Sequence, residues 1–447
     1  MEKLIEIMDF IWGVPLTLFI VISGLYFCYC NKCFQITGIK RIFNNTIKKI
    51  KTSRNNTYKT IMSVLGGTIG TGNVAGVATA IAVGGPGAIF WMWVIALISM
   101  ATKMVEVTLA VKYHKKEKDG YIGGPMYYMK QIKGKFGKAI TLIYTLFLFI
   151  YVLCDSGFVQ MNTVATALTS TLNIPTILLA VGIILLATFI VAGGVKRVSG
   201  VLKRLVPFMV LFYFLATMIV IIINFKNIPL AFMQIFKYAF STAPVVGGFA
   251  GATVASAISK GAARGIFANE AGLGTSTVVH ATSENEPVVQ GMWGIVEVFI
   301  VSFIVCTLSA LLIMTTGVWV NGTSGAPLIL DAFSSVYGNI GKYILCFVIV
   351  VFAFSSYIGY FFEYLGCVRY FFGEKTIKYL KWLYVVPIIV AIYLPIEFIW
   401  SLADMSIGFI IIPNIIALFI LSPKFKELFK RSKAVNIGKI QETIKEG

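Results

Sequence analysis

Between Gly66 and Asn73 the chain reads GGTIGTGN, a peptide whose chemistry resides in its backbone more than in its side chains. Glycine costs a helix about 1 kcal/mol per position relative to alanine, so Gly66, Gly67, Gly70 and Gly72 mark either close helix packing or a break. A break frees amides and carbonyls to bind something. N–H groups around Thr71, Gly72 and Asn73 would start a new half-helix and turn its positive dipole end toward a carboxylate. Carbonyls from Gly66 to Ile69 would end the preceding half-helix, and their negative end suits a small cation. Hydroxyls beside them would complete an all-oxygen site of the kind a hard cation takes. Ser355 and Ser356, an unusual pair inside an apolar run, are the candidates, against the plain alternative of each bonding back to its own helix. A zwitterionic amino acid with Na+ matches the two poles.

A second glycine-rich stretch, 242–265, holds Gly247, Gly248, Gly251 and Gly261 with Thr253, Ser256 and Ser259, and Gly251 and Thr253 are its candidate substrate contacts. Small-residue packing between helices explains either stretch alone equally well. Other chemistries find little support. Only two histidines occur, His114 and His280, and the cysteine cluster Cys28, Cys30, Cys33 fits no zinc spacing, so a metalloenzyme is excluded. Gly70, Gly72 and Gly76 space as G-x-G-x-x-x-G, but they lack the strand and βαβ unit of a dinucleotide site, and no phosphate-binding G-x-x-x-x-G-K-[ST] occurs. No nucleophile–base pair suggests an enzyme, and no organic cofactor is expected.

The elements that must position these residues are membrane helices. Of 447 residues, 58% are hydrophobic and 13% charged, well above the apolar share of soluble domains. A spanning helix needs about 20 mainly apolar residues. That requirement gives eleven spans, near 11–31, 60–83, 86–111, 139–165, 174–194, 201–224, 242–265, 288–317, 339–368, 379–396 and 399–421. The runs are uniformly apolar, so strands are not needed. Of the 38 basic residues, 33 fall in alternate connections, at the span ends that flank them and in the tail, and Lys103 alone lies deep within a span. The positive-inside rule then puts the N-terminus outside and the C-terminus in the cytoplasm, and reads the net charge of +19 as topology without any nucleic-acid partner. The two glycine-rich spans are the first members of two successive sets of five, and because five is odd the second set runs inverted. Interrupted helices at corresponding places in inverted halves are the best sequence pointer to a carrier's central site. The expected organisation is a helix and basic segment (1–59), a first five-helix repeat (60–224), a linker with the inverted repeat (225–421) and a basic tail (422–447).

Buried charges complete the reading. Lys103 and Glu106 stand three apart on one helix face and are expected to pair with each other. Asp155, Glu297, Glu363 and Asp404 lie at or near membrane depth and are functional candidates by default.

The string from Gly66 to Val94, GGTIGTGNVAGVATAIAVGGPGAIFWMWV, resembles the signature of the sodium:alanine symporter family, most specifically in GGPGAIFWMW from Gly84 to Trp93. The resemblance continues in RGIFANEAGLG (Arg264 to Gly274), PVVQG (Pro287 to Gly291), EVF (Glu297 to Phe299), FAFSS (Phe352 to Ser356), and Trp400, Ala403, Asp404, Pro413 and Asn414. It implies an all-α, leucine-transporter-like fold of five plus five inverted helices with one added N-terminal helix. It also implies Na+-coupled uptake of a small neutral amino acid, alanine or glycine, by alternating access in the cell membrane; proton coupling, or another amino acid such as glutamine, is the alternative. A monomer is the expected carrier, on no motif of its own. On the family pattern the carboxylate falls to Thr71 and Gly72, and the Na+ to the Gly66 and Ile69 carbonyls with Ser355 and Ser356. Gln160 and Asn162 match amides that line the cavity, with interhelical bonding the equal alternative. The chain departs from the family at Val301 and Ser302, where Asp-Thr is usual, across Phe361 to Tyr364, and at Ile407, where Asn is common.

Overall fold

The computed structural model describes residues 14–49, 55–117, 120–172, 175–391 and 396–445, with side chains described except at 14, 49, 55–56, 170, 176, 396–404 and 433–445. Asp404 and Trp400, named above, thus lie outside the described side chains. Helix makes up 85% of the structure. The longer helices are α1 (Val14–Asn31), α2 (Asn55–Thr68), α3 (Ala75–Gly84), α4 (Gly87–Lys112), α5 (Gly134–Val152), α6 (Met161–Leu172), α7 (Thr176–Ala192) and α8 (Gly194–Ile223). They continue with α9 (Ile228–Phe240), α10 (Val254–Asn269), α11 (Pro287–Val298), α12 (Cys306–Thr316), α13 (Ala326–Tyr337), α14 (Gly341–Phe372) and α15 (Ile396–Lys445). A π-helical stretch, Leu153–Gln160, joins α5 to α6, and another, Phe299–Val305, joins α11 to α12. Such stretches concentrate at functional sites because they shift side chains off the regular helical faces.

Six helices among the described residues are long and apolar enough to cross a membrane: Gly87–Lys112, Gly134–Thr169, Gly194–Ile223, Pro287–Thr316, Ala326–Phe372 and Met405–Ser432. Pro15–Asn31, Ala75–Gly84 and Ile177–Ala192 are apolar and shorter. This is the build of a multi-pass membrane protein. Run 60–83 is divided into α2 and α3, as the glycines suggest. Run 242–265 is divided elsewhere than expected. Residues 241–253 form a turn with paired bridges Ala243 to Ala252 and Val246 to Phe249, and helix begins only at Val254. Gly247 and Gly251 serve that turn, at φ 58° and 84°, and the Gly248 amide donates to the Val320 carbonyl at 2.7 Å. A short hairpin, β1 (Lys115–Glu117) with β2 (Gly120–Ile122), stands where no strand was expected.

The core is organised around α4, which is buried along most of its length and packs against α10 and α11. Glycines make the approach possible. A Cβ on Gly261 of α10 would stand 2.5 Å from the Ala88 carbonyl, and one on Gly294 of α11 would stand 3.0 Å from Lys103 Cγ. Close approach also joins α14 to α2, where the backbones of Gly359 and Gly67 touch. That contact delivers the helix carrying Ser355 and Ser356 to the end of α2.

Candidate functional site

The first break begins where α2 stops. Gly70 is extended, at φ −133° and ψ −163°, and a single 3-10 turn, Thr71–Asn73, precedes α3. The backbone bonds here are few: Ile69 N to Leu65 O at 2.8 Å, Asn73 N to Gly70 O at 3.2 Å, and Val74 N to Thr71 O at 3.1 Å. Among the described residues no acceptor takes the amides of Gly70, Thr71 and Gly72, although all three residues are buried. Buried amides are otherwise nearly always paired, so three in succession at a half-helix start form a ready seat for an anionic group.

The carbonyl side of the break meets α14. Ser355 Oγ donates to Gly66 O at 3.0 Å, and Ser356 Oγ lies 3.1 Å from Gly67 O and 3.4 Å from Ile69 O. Both hydroxyls therefore reach across to another helix instead of bonding back along their own. Gly66, Ile69, Ser355 and Ser356 are brought together as expected from their chemistry, with the Gly67 carbonyl added to the set. All the donors are oxygen, which fits a hard monovalent cation.

The expected substrate contacts divide. Thr71 Oγ1 donates to Gln160 Oε1 at 2.9 Å, which places Gln160 at the break. Gly72 faces the ring of Phe267, whose Cε1 would lie 2.5 Å from a Cβ at that position. Asn73 has a different task. Its Nδ2 donates to Thr68 O at 2.8 Å, its Oδ1 takes the Cys306 thiol at 3.4 Å, and its carbonyl takes Ser309 Oγ at 2.7 Å. It closes the end of α2 and ties the break to α12. Asn162 donates to Ala391 O at 2.8 Å, a bond between elements. Thr253 caps α10, accepting from Ser256 N at 3.1 Å, and with Gly251 it belongs to the exposed side of the turn before that helix. Neither is brought to the break, because the glycines before α10 shape a loop.

The second break follows α10 instead of interrupting it. Asn269 ends the helix, Glu270 turns left-handed at φ 54°, Gly272 and Gly274 follow at φ 92° and 77°, and a short helix begins at Thr277. Asn269 holds the turn, its Oδ1 accepting from Ala271 N at 3.0 Å and its Nδ2 donating to Ser302 at 3.3 Å. Glu270 accepts from Tyr360 at 2.6 Å and from Thr275, and Tyr360 lies 3.3 Å from the Tyr151 hydroxyl. Asn414 donates to Gly272 O at 2.9 Å and to Glu106 at 2.6 Å, and accepts from Tyr128. Sequence reasoning missed Glu270; its signal was an acidic residue followed at once by two spaced glycines inside the Arg264 to Gly274 motif.

Lys103 does not pair with Glu106. Its ammonium donates to Ser276 at 2.8 Å and meets Glu297 at 3.4 Å, so it spans from α4 to the second break and to α11. Glu297 also takes His280 Nε2 at 2.9 Å. His280 has a second neighbour on its other ring nitrogen. Gln290 Oε1 accepts from Ser283 at 3.0 Å and Asn285 at 2.8 Å, leaving its Nε2 to donate to His280 Nδ1 at 2.7 Å. Both ring nitrogens of His280 are thus engaged, Nδ1 by Gln290 and Nε2 by Glu297. Val301, where the family resemblance has Asp, is fully buried, and Ser302 beside it serves Asn269.

Comparison with known proteins follows the same line. The profile of the sodium:alanine symporter family matches residues 1–444. An uncharacterized transporter of Bacillus subtilis, YflA, is 37% identical over 443 residues, covering 96% of this chain and 93% of that one. The sodium/alanine symporter AgcS of Methanococcus maripaludis is 31% identical over 428 residues, 93% of each. A crystal structure of a mutant manganese transporter of Eremococcus coleocola superposes with a TM-score of 0.53 at 13% identity, over 84% of this chain and 78% of that one. That last likeness is one of fold alone.

Proposed function

The chain belongs to the sodium:alanine symporter family, whose members are amino-acid/cation symporters, and on that premise we propose that it couples the uptake of a small neutral amino acid, alanine or glycine, to Na+. The observation that carries the proposal is the first break. Its three unpartnered amides and its serine-faced carbonyls support an anion seat beside a cation seat. The substrate carboxylate sits on the amides of Thr71 and Gly72, with Gln160 beside them and Phe267 closing the far wall. Na+ replaces the serine hydrogen bonds, taking the carbonyls of Gly66 and Ile69 and the hydroxyl oxygens of Ser355 and Ser356. The substrate carboxylate and the ion then favour each other's binding, and by linkage each raises the other's affinity by the same factor.

The two breaks open the first helices of two sets of five, the arrangement of inverted repeats whose rocking alternates access to a central site. The N-terminus is outside and the C-terminus cytoplasmic on this reading. Uptake of labelled alanine, glycine and glutamine into proteoliposomes, with and without an inward Na+ gradient, tests it. Uptake of one of the first two that collapses without the gradient is expected; Na+-independent uptake rejects sodium coupling, and preference for glutamine rejects the substrate.

A further inference from the structure

The buried charges of the core do not balance. Among the described residues Glu106, Asp155, Glu270, Glu297 and Glu363 are at most 2% exposed, while Lys103 is the one buried cation. Lys103 and Glu297 close one pair, with His280 on the second oxygen of Glu297. Hydrogen-bond donors then sort the remaining carboxyls. Glu270 has a hydroxyl on each oxygen, from Tyr360 and Thr275. Glu106 takes the amide of Asn414, and Asp155 takes the amide of Gln160 at 3.5 Å. Glu363 takes nothing: its Oε2 is buried without a partner, and no described group hydrogen-bonds its carboxyl.

An ionised carboxylate needs donors or a cation once it has left water. Glu363 has neither at hand. The groups that bear on it are Glu270 from the second break, Tyr144 and Tyr151 from α5, and Asp155 from the π-helical stretch after it. Tyr360 and Cys367 act on it electrostatically from its own helix, Tyr384 from the segment after α14, and Lys103 and Glu297 from α4 and α11. Carboxyls and hydroxyls thus outnumber the single ammonium, which Glu297 and Ser276 already hold. No group of three or more acidic, histidine or cysteine side chains among the described residues is arranged to hold a metal ion. A proton neutralises such a carboxyl without any further ligand.

We infer that Glu363 is a proton-binding site: it is the neutral acid in the closed core, and gives its proton up when water reaches it as the carrier changes state. In that step the acid O–H bond breaks, the proton passes to water and the charge stays on the carboxylate. Its place on α14 links it to transport. Ser356, Tyr360 and Glu363 follow at i, i+4 and i+7, so one helical face carries a ligand of the cation seat, the donor to Glu270 and the proton. Movement of α14 that exposes Glu363 therefore also moves the other two.

Protonation itself does not depend on the reading of the chain as a sodium symporter; its effect on transport does, and two measurements keep them apart. Infrared spectra of the full-length protein in lipid bilayers should contain a carboxylic-acid C=O band at neutral pH. The band should weaken in Glu363→Gln, shift in Glu363→Asp, and survive in Glu270→Gln, whose native carboxylate is already satisfied by hydroxyls. A band unchanged in both Glu363 variants overturns the site. In proteoliposomes, Na+-driven alanine uptake by the wild type should fall as pH is raised, and Glu363→Gln should lose that fall. Identical pH profiles would detach the proton from the cycle. No Na+-driven uptake at any pH would count against the symport reading, and the infrared band would still decide the site.

Discussion

Replacing Ser356 with alanine removes one oxygen from the proposed cation seat, and the size of the effect can be worked from both sides of the binding equilibrium. Without the ion, the Ser356 hydroxyl lies 3.1 Å from Gly67 O and 3.4 Å from Ile69 O. Its single proton makes one good neutral hydrogen bond, worth about 1 kcal/mol net. With the ion bound, the same oxygen would face a full charge, and hydrogen bonds to charged groups are worth about twice as much. The variant loses both, so the net cost to Na+ binding is about 1 kcal/mol, or roughly fivefold in half-saturating Na+. Alanine uptake into proteoliposomes, measured across a Na+ series, reads this directly. At saturating Na+ the two proteins should converge, because the substrate seat is intact. A shift of less than about twofold in a well-folded variant, or a loss that saturating Na+ does not recover, would refute the assignment of Ser356 to the ion.

The other predictions test the surroundings of that seat. Gly72→Ala would place a Cβ 2.5 and 2.7 Å from ring carbons of Phe267, an overpacking of about 1–3 kcal/mol, so alanine binding should weaken by an order of magnitude and recover in the double variant with Phe267→Leu; failure of the rescue would show that the ring is not the obstacle. Gln160→Leu strands the buried Thr71 hydroxyl that it accepts at 2.9 Å, at about 1–3 kcal/mol; the KM for alanine should rise several-fold while half-saturating Na+ at high alanine stays put, and the reverse pattern would move Gln160 to the ion. Lys103→Met takes the ammonium from the buried Glu297 and leaves it His280 alone, a loss of up to about 3–5 kcal/mol. Thermal unfolding of the detergent-solubilised protein should fall steeply, and pairing the change with Glu297→Gln should restore most of it; additive losses would mean that the 3.4 Å contact carries no coupling.

The sequence by itself determined the class of the protein, its family and the first break. Long apolar runs can only be membrane helices, and Gly66, Gly67, Gly70 and Gly72 disfavour helix through a property each residue carries alone. The pairing of Ser355 and Ser356 with those carbonyls was legible as chemistry, since hydroxyls and carbonyls suit the same ion. Tertiary structure decided the rest, wherever a residue's role depends on what packs against it. Glycines at 247, 248 and 251 look like those at 66 to 72, yet they shape a surface turn that Gly248 docks on Val320, and the second break falls at Glu270 to Ser276 instead. Asn73 and Asn162 carry amides fit for a substrate, and their neighbours turn them into structural ties. Lys103 had a partner three residues away in the sequence and took one on another helix, because Gly294 lets α11 close on α4 at that level. Local propensity can break a helix, but a side chain's partner is chosen by the distances between helices, and those exist only in the folded chain.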